Sequence, residues 1–419
     1  YHCFHKMSII NLEKYEKNKK GFSMNNILIC NAYIMPMQGE NIENGYILIE
    51  NNKIKAFGSM KDVPNAENLQ IIDANNGYIT PGLIDIHSHI GLYEDGISFE
   101  GADGNEDTDP ITPQLRVIDG INPMERAFKE AVEAGVTTVV VSPGSANPIG
   151  GQLAALKTFG RRIDDMIIKE PIAVKFAMGE NPKNTYHDKN ETPVTRMAIA
   201  SLLRENLRKA VEYHDRKHRA FEHEEEDLPD FDAKLEILEL LIEGKIPAHI
   251  HAHRADDIFT ALRICKEFNI KPVLVHATEG HLIADLIAEE NIPVISGPYM
   301  TDRSKPELVN LTESSPAIMQ KAGIKTAIST DHPEMPVKYI LIAAAVAVKN
   351  GMDEMEALRS ITIRGAEIMG LDDKIGLIAE GKDADLVIFS GHPLDFRSKV
   401  QTVFLNGKPV YRRNENENN

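Results

Sequence analysis

Two histidines, His87 and His89, directly follow the apolar run GLIDI (82–86) and have the spacing to act on one ion. In an extended segment, residues i and i+2 point to the same side. The two imidazoles therefore project together from one strand end, as two ligands of a single metal ion must. An H-x-H pair alone is a weak signal, because histidines also fill structural positions.

Residues of the same kind stand at the ends of four further apolar runs. They are Glu180 after PIAVKFAM (171–178), His251 after IPAHI (246–250), His276 after KPVLV (271–275) and Asp331 after IKTAIS (324–329). A single histidine at a strand end is unremarkable, but a metal-ligating residue at five strand ends is hard to attribute to packing. The sequence therefore predicts a metal site.

The predicted ligands offer nitrogen and oxygen atoms and no thiolate. This chemistry suits Zn²⁺ first, and it also suits Mn²⁺, Fe²⁺, Co²⁺ or Ni²⁺. A carboxylate among imidazoles can bridge two cations, so the pattern leaves open whether one or two ions bind. A pair of cations activates a shared water and polarises a carbonyl or phosphoryl oxygen.

These apolar runs belong to a region, about residues 81–374, in which predicted strands and helices alternate. Amphipathic segments such as MERAFKEAVEAG and DIFTALRICKEFN separate seven strand-like runs, and an eighth strand is predicted near MIIK (166–169). Alternation of this kind indicates parallel βαβ units. Seven or eight units in about 290 residues favour a (β/α)₈ barrel, whose catalytic groups come from the C-terminal ends of the strands.

Short strand-like runs with Asn and Gly turns occur near both chain ends, which predicts one β domain built from both. The predicted fold is α/β, with a (β/α)₈ barrel of the TIM type inserted in a small β-sandwich. The predicted segments are a disordered extension (1–24), the N-terminal half of the sandwich (25–80), the barrel (81–374) with a helical insertion (191–245), the C-terminal half of the sandwich (375–413) and a frayed tail (414–419).

Composition excludes several classes of function. The 419 residues carry 46 basic and 63 acidic side chains, a formal net charge of −17, which argues against nucleic acid or an anionic membrane surface as the main partner. No apolar run approaches the roughly 20 residues of a membrane helix, and the N-terminal stretch lacks the apolar core of a signal peptide. The scattered Cys3, Cys30 and Cys265 predict reduced thiols and a cytoplasmic location.

Four motifs together resemble the amidohydrolase superfamily, in its imidazolonepropionase-like and prolidase-like branch. They are PGLIDIHSH (81–89), VHATEGH (275–281), STDHP (329–333) and GLIAEGKDADLVIF (376–389). The resemblance covers about residues 26–411. The motifs are specific for the superfamily and uninformative about the substrate. The resemblance also implies a small-molecule substrate and leaves a homo-oligomer open.

The resemblance implies a role for each matching residue. His87 and His89 correspond to the metal pair of the first strand, His251 to the ligand of the fifth strand and His276 to that of the sixth. Asp331 corresponds to the carboxylate of the eighth strand, which contacts metal and acts as general base. His276 and Asp331 are therefore the catalytic candidates as well as ligands. A metal lowers the pKa of its water toward neutrality, so a modest carboxylate base suffices.

The fourth strand departs from the pattern of many relatives, which carry a carboxylated lysine that bridges two metals. Here the strand has Lys175 early and Glu180 at its end. While the strand stays extended, these two residues face opposite sides, because they differ by an odd number of positions. We predict Glu180 as the ligand. The alternative is that Glu180 caps the loop and Lys175 is the bridge.

Predicted substrate contacts lie in the loops at the same end of the barrel. They are Asn147, Lys183, Tyr186, His253 and Arg254. An arginine at this position can hold a substrate carboxylate in a bidentate pair. Asn147 belongs to the Gly- and Pro-rich segment 142–152, which is either a structural connection or a loop whose backbone amides bind a carboxylate or oxyanion.

The sequence thus predicts a metal-dependent hydrolase of C–N bonds other than peptide bonds, with an amide, cyclic amide, ureido or amidine-like substrate. Metal-activated water attacks, and Asp331 acts as general base. Within the superfamily the alternatives are a deaminase and a hydrolase of acyl-amino acids or dipeptides. An alternative of a different class is a non-catalytic relative that serves as a binding or assembly protein, although such proteins usually lose ligands.

Overall fold

The computed structural model describes residues 26–65, 69–223 and 227–414. The predicted N-terminal extension, Cys3 and all but the first residue of the predicted tail lie outside the described residues. Cys30 and Cys265 are both buried. Within the described ranges, no helix is long and apolar enough to cross a membrane.

The N-terminal segment forms five strands: β1 (Ile27–Ile34), β2 (Ile42–Glu50), β3 (Lys53–Ser59), β4 (Gln70–Asp73) and β5 (Tyr78–Pro81). β1 pairs antiparallel with β2 and parallel with β4 and β5. The hairpin between β2 and β3 turns at Asn51 and Asn52, which have φ values of +48° and +69°. Asn tolerates this left-handed region better than most residues, so the sequence suits a tight hairpin.

Eight central strands form the barrel: β6 (Leu83–Ser88), β7 (Val136–Val141), β8 (Ile149–Lys157), β9 (Ile167–Ala177), β10 (Ala248–Ala252), β11 (Pro272–His276), β12 (Val294–Ser296) and β13 (Thr326–Ile328). Each strand pairs with the next one along the chain. Two backbone hydrogen bonds join the two ends of this path, from Asp331 N to His87 O (3.1 Å) and from His89 N to His332 O (2.8 Å). These bonds bring the first and last strands together at the C-terminal end of the barrel.

Ten helices are defined in the described residues. They are α1 (Arg126–Glu133), α2 (Glu180–His187), α3 (Arg196–Glu222), α4 (Ala233–Ile242), α5 (Ala255–Glu267), α6 (Ala284–Glu289), α7 (Ser315–Lys321), α8 (Ile340–Lys349), α9 (Glu354–Ser360) and α10 (Ile363–Met369). α3 and α4 lie within the predicted helical insertion. Thr195 begins α3, since its hydroxyl accepts a hydrogen bond from Ala198 N at 3.1 Å.

The C-terminal segment adds β14 (Leu386–Phe389), β15 (Val400–Leu405) and β16 (Lys408–Arg412). β14 pairs antiparallel with β5, so both chain ends share one sheet in the order β16-β15-β14-β5-β1-β2-β3, with β4 beside β1. The predicted fold class, an α/β barrel inserted in a β domain made from both chain ends, is confirmed.

Two details of the barrel differ from the sequence prediction. The segment IGGQLAALK, whose first residues we assigned to a loop, is the fully buried strand β8, and it runs antiparallel to both neighbours. Its glycines and alanines lack the β-branched pattern that indicates a strand. The predicted eighth strand at 166–169 is instead the beginning of β9, which continues through Pro171 to Ala177.

A buried ion pair connects β8 to the C-terminal segment. Lys157 Nζ contacts the Asp385 carboxylate and lies 3.1 Å from Asp383 Oδ2. The side chains of Lys157 and Asp385 are 8% and 5% exposed. Lys53 reaches the other oxygen of Asp383 at 2.6 Å, but its side chain is 46% exposed. Lys157 is therefore the cation that the buried Asp385 depends on.

Replacing Lys157 by Met is expected to lower the free energy of unfolding by about 3–5 kcal/mol, because Asp385 is left buried without its cation. The matched variant Lys53→Met removes an exposed cation from the same cluster and is expected to change it by less than about 1 kcal/mol. Urea unfolding followed by circular dichroism measures both. Equal effects of the two substitutions would contradict the assignment.

Candidate metal centre

The first histidine pair lies where the barrel closes. His87 is the fifth residue of β6 and is completely buried, and His89 follows the strand. His89 Nδ1 lies 2.7 Å from the carbonyl oxygen of Ser142, so the ring donates there and turns Nε2 toward the barrel axis. His89 Nε2 is 3.1 Å and His87 Nε2 is 3.3 Å from one atom, Asp331 Oδ1. The predicted pair and the predicted carboxylate therefore meet.

Asp331 is held in this position by its backbone as well as by its neighbours. Its φ is +53°, a left-handed value that is uncommon for residues other than glycine and is found at functional sites. Burial alone would raise the pKa of Asp331, but the nearby imidazoles of His276, His87 and His89 hold it well below its usual range. The side chain is thus an anion surrounded by imidazoles.

We call the junction between β6 and the segment after β13, where the barrel closes, the seam. A second carboxylate, which the sequence interpretation missed, holds this seam together. Asp85 is fully buried on β6, and its Oδ1 accepts hydrogen bonds from the backbone nitrogens of Thr330 (3.2 Å) and His87 (3.4 Å). Its Oδ2 accepts from the Thr330 hydroxyl. Burial raises the pKa of Asp85 to about 6. One side chain thus holds the backbone on both sides of the seam.

A second group of potential ligands adjoins the first. Ligand atoms of His251, His253 and His276 lie within 4.8 Å of one another, and His276 also belongs to a group of the same size with His87 and Asp331. His276 Nδ1 is 2.6 Å from the carbonyl oxygen of Gly297, which leaves Nε2 free to face the centre. His276 is therefore common to both groups.

These imidazoles are neutral near pH 7. Burial lowers the pKa of His276 to about 4, and it lowers the pKa values of His87, His251 and His253 well below the usual range. A neutral imidazole has one nitrogen with a free lone pair, which is the form that binds a metal. The cluster therefore offers metal-binding nitrogens without first having to lose protons.

Lys175 reaches the same cluster from β9. It pairs with His249 of β10, its side chain is fully buried, and its Nζ lies 3.4 Å from His87 Nε2. Burial lowers the pKa of Lys175 to about 8. The four methylene groups of the side chain carry the amine from a deep position up to the histidines, a reach that we underestimated from the sequence.

The prediction of Glu180 as the fourth-strand ligand is not supported by its position. β9 ends at Ala177, Gly179 has a φ of +81°, and Glu180 already begins α2. Its carboxylate turns to the backbone nitrogen of Glu307 (3.3 Å) and the side-chain amide of Asn184 (3.4 Å). The chain leaves the extended conformation at this point, so an alternation argument could not place Glu180. The side chain that β9 sends to the cluster is Lys175.

The five predicted substrate contacts are placed very differently. His253 lies in the second group, with Nδ1 2.7 Å from Thr278 Oγ1. The side chain of Arg254 is 46% exposed and forms a bidentate pair with Asp256. Asp256 thus takes the two N–H donors that we predicted would bind a substrate carboxylate. Lys183 is half-buried on α2.

The remaining two predicted contacts, Tyr186 and Asn147, bind each other. The Tyr186 hydroxyl donates to Asn147 Oδ1 at 2.6 Å, and both residues are buried. The Asn147 amide donates to the backbone oxygen of Glu106 (2.7 Å) and to Thr112 Oγ1 (2.9 Å). These polar atoms are committed to holding α2 and the loops together, so the structure gives them a structural role.

The donor set fits a divalent cation. The imidazole nitrogens and the Asp331 carboxylate converge, and Asp331 Oδ1 is buried without a hydrogen-bond partner among the described residues. A buried anionic oxygen in that state is unfavourable unless a cation binds it. Nitrogen and oxygen donors in this mixture suit zinc and its first-row neighbours.

A barrel with a polar cluster at the C-terminal ends of its strands is the architecture of many hydrolytic enzymes. Residues 78–410 match the amidohydrolase family, and the chain belongs to this family. Family membership supports hydrolysis of a C–N bond. The resemblance in the sequence motifs is thereby confirmed.

Individual relatives agree with this assignment. The chain superposes on the crystal structure of an amidohydrolase from Thermotoga maritima MSB8 with a TM-score of 0.89 and 40% identity, covering 92% of this chain and 100% of that one. It is 23% identical to an imidazolonepropionase of Flavobacterium psychrophilum over 88% of this chain and 92% of that protein. It is 28% identical to amidohydrolase tasK of Hapsidospora irregularis over 87% of this chain, but it spans only 39% of that protein's length.

His276→Gln is expected to weaken zinc binding by more than about 100-fold, because this residue belongs to both ligand groups. The matched variant Glu180→Gln is expected to bind zinc like the unaltered protein. Competition with a chromophoric chelator measures both affinities. If the Glu180 variant loses zinc and the His276 variant keeps it, the ligand set described above is incorrect.

Proposed function

We propose that this protein is a metal-dependent amidohydrolase that cleaves a C–N bond in an amide, cyclic amide, ureido or amidine-like small molecule. The observation that carries the proposal is the convergence of His87, His89 and Asp331, from the two opposite ends of the sheet path, with His276 from β11 beside them. Family membership supports the same reaction class.

The residues that would hold the metal are divided between the two groups. His87, His89 and Asp331 form one side, His251 forms the other, and His276 stands between them. One or two divalent cations in this place would acidify a water and polarise the C=O or C=N double bond of the carbon that the water attacks. Zinc is the first choice for this donor set. Whether one or two ions would bind depends on whether Lys175 supplies a further ligand.

Asp331 is the proposed general base. Its carboxylate is ionised, and the Nε2 atoms of His87 and His89 lie 3.3 Å and 3.1 Å from its Oδ1. It takes the proton from the attacking water and then delivers it to the leaving nitrogen, which departs as an amine. A positioned group of this kind contributes about 10²–10⁴-fold to a hydrolytic rate.

We further propose that Lys175 is carboxylated in the active enzyme. A buried ammonium beside metal ions would be repelled, and the hydrogen-bond partner of Lys175 Nζ among the described residues is His87 Nε2 alone. When the neutral amine adds to the carbon of CO₂, one proton leaves and an N-carboxylate forms. This product is an anion with two oxygens, which suits a bridge between two cations and favours a two-metal site.

Asp331→Asn is expected to keep its zinc and to lose at least about 100-fold in turnover, because the amide cannot accept the proton of the water. The measurements are metal content by mass spectrometry and hydrolysis of a panel of hydantoins, lactams, acyl-amino acids and dipeptides. Turnover close to that of the unaltered protein would show that Asp331 is not the base.

Reactivation of metal-depleted protein by zinc is expected to require bicarbonate and to be faster at pH 9 than at pH 7. A pKa of about 8 for Lys175 means that the neutral amine, the form that reacts with CO₂, grows from about a tenth to about nine-tenths of the population over this range. Lys175→Met should bind less metal and remain inactive under all conditions. Reactivation in bicarbonate-free buffer, equal at both pH values, would refute carboxylation.

A further inference from the structure

Three loops at the C-terminal end of the barrel meet in a polar contact that neither the sequence interpretation nor the proposed catalytic residues include. Asn181 at the start of α2 lies between Ser145, which follows β7, and Lys305, which follows β12. Asn181 Nδ2 donates to Ser145 Oγ at 2.6 Å, and Asn181 Oδ1 accepts from Lys305 Nζ at 2.8 Å. One amide thus holds a hydroxyl and an ammonium in fixed positions.

This contact leaves donors available. An ammonium has three N–H groups, and among the described residues Lys305 donates one to Asn181 Oδ1 and forms an ion pair with Glu307 Oε1, each at 2.8 Å. The Ser145 hydroxyl accepts from Asn181, and its own proton has no acceptor among the residues that the structure describes. A ligand that meets this site finds hydrogen-bond donors, and one of them carries a positive charge.

The two charged side chains of this site, Glu307 and Lys305, differ in how far they are buried. The Glu307 side chain is 1% exposed, whereas that of Lys305 is 24% exposed. Glu307 is fixed from below, because its Oε2 accepts a hydrogen bond from the backbone nitrogen of Glu180 at 3.0 Å. The Glu307 carboxylate therefore lies on the buried side of the ion pair, and the Lys305 ammonium lies on the solvent-accessible side.

The same group of residues lies next to His251 and His253, two members of the second group of potential ligands. Asn181 Nδ2 lies 3.4 Å from His251 Nε2, and Glu307 Oε1 lies 3.6 Å from His253 Nε2 and 3.9 Å from His251 Nε2. Lys305 Nζ is therefore separated from the ligand nitrogens by one intervening side chain. This separation corresponds to a few covalent bonds of a substrate.

We propose that Lys305 and Ser145 form an anion-binding subsite that takes a substrate carboxylate located a few bonds from the scissile C–N bond, as in an N-acyl amino acid. Asn181 and Glu307 act as positioning residues that hold the two donors. The inference rests on the proposed function, because it names the class of substrate that the same centre would hydrolyse. It also replaces Arg254, whose Nε and Nη2 donate to Asp256, as the expected carboxylate contact.

The test compares N-acetyl-L-amino acids with the matching N-acetyl-L-amino acid amides, which lack the negative charge. With zinc-loaded protein, the acids are expected to have a kcat/KM at least about tenfold above that of the amides, because only the acids can form a charge-assisted hydrogen bond with Lys305. Lys305→Met should abolish this preference by raising KM for the acids, and Lys305→Arg should restore most of it.

Binding is measured separately from turnover, as the shift in melting temperature caused by the N-acetyl-D-amino acids and their amides. The acids should stabilise the unaltered protein and not the Lys305→Met variant. Lys189→Met is the matched control, because Lys189 pairs with Asp107 at 2.7 Å and should leave both readouts unchanged. If Lys305→Met folds poorly, the double variant Lys305→Met/Glu307→Gln removes the buried charge as well.

The outcomes separate the two proposals. Acids that stabilise the protein through Lys305, with no hydrolysis of the N-acetyl-L-amino acids or of any hydantoin, lactam or dipeptide in the panel, would support the subsite and refute the proposed function. Amides hydrolysed as well as acids, with no effect of Lys305→Met, would refute the subsite and leave the function standing. The absence of stabilisation by every acid in the panel would also overturn the subsite.

Discussion

The structure depends on the burial of several imidazoles around one carboxylate. Water is largely excluded from His87, His276 and Asp331, so the histidines are neutral and the aspartate keeps its negative charge only through its neighbours. An arrangement with one anionic oxygen and many unprotonated nitrogens is stable when a cation occupies it. The same exclusion of water lowers the pKa of Lys175 and keeps its amine reactive.

The barrel provides this environment through its closure. The first and last strands meet through backbone hydrogen bonds at His87, His89 and Asp331, so the residues that close the barrel are also the proposed ligands. Asp85 holds both sides of the same seam. A change that loosens the seam would separate the ligands, which links the stability of the fold to the integrity of the centre.

Sequence patterns predicted the fold class and most of the converging residues because strand ends in a barrel meet at one rim. They could not place Glu180, since the chain turns at Gly179, and they underestimated the reach of Lys175. β8 was missed because its glycines and alanines give no strand pattern.

The loop contacts were harder to predict. Arg254 and Tyr186 have the right chemistry for a substrate but are committed to Asp256 and Asn147, and only three-dimensional contacts reveal this. Lys305 and Glu307 belong to no periodic pattern in the sequence. The proposed role of Lys305 depends on its hydrogen bond to Asn181, which lies more than 120 positions away in the chain. Long-range pairing of this kind leaves no trace in local spacing.

The most direct test of the metal centre is anomalous diffraction at the zinc absorption edge from crystals of the zinc-loaded protein. We expect zinc within coordination distance of His276, with His87, His89 and Asp331 on one side and His251 on the other, and additional density on Lys175 Nζ. Zinc found only elsewhere on the protein, with these side chains unliganded, would contradict the account.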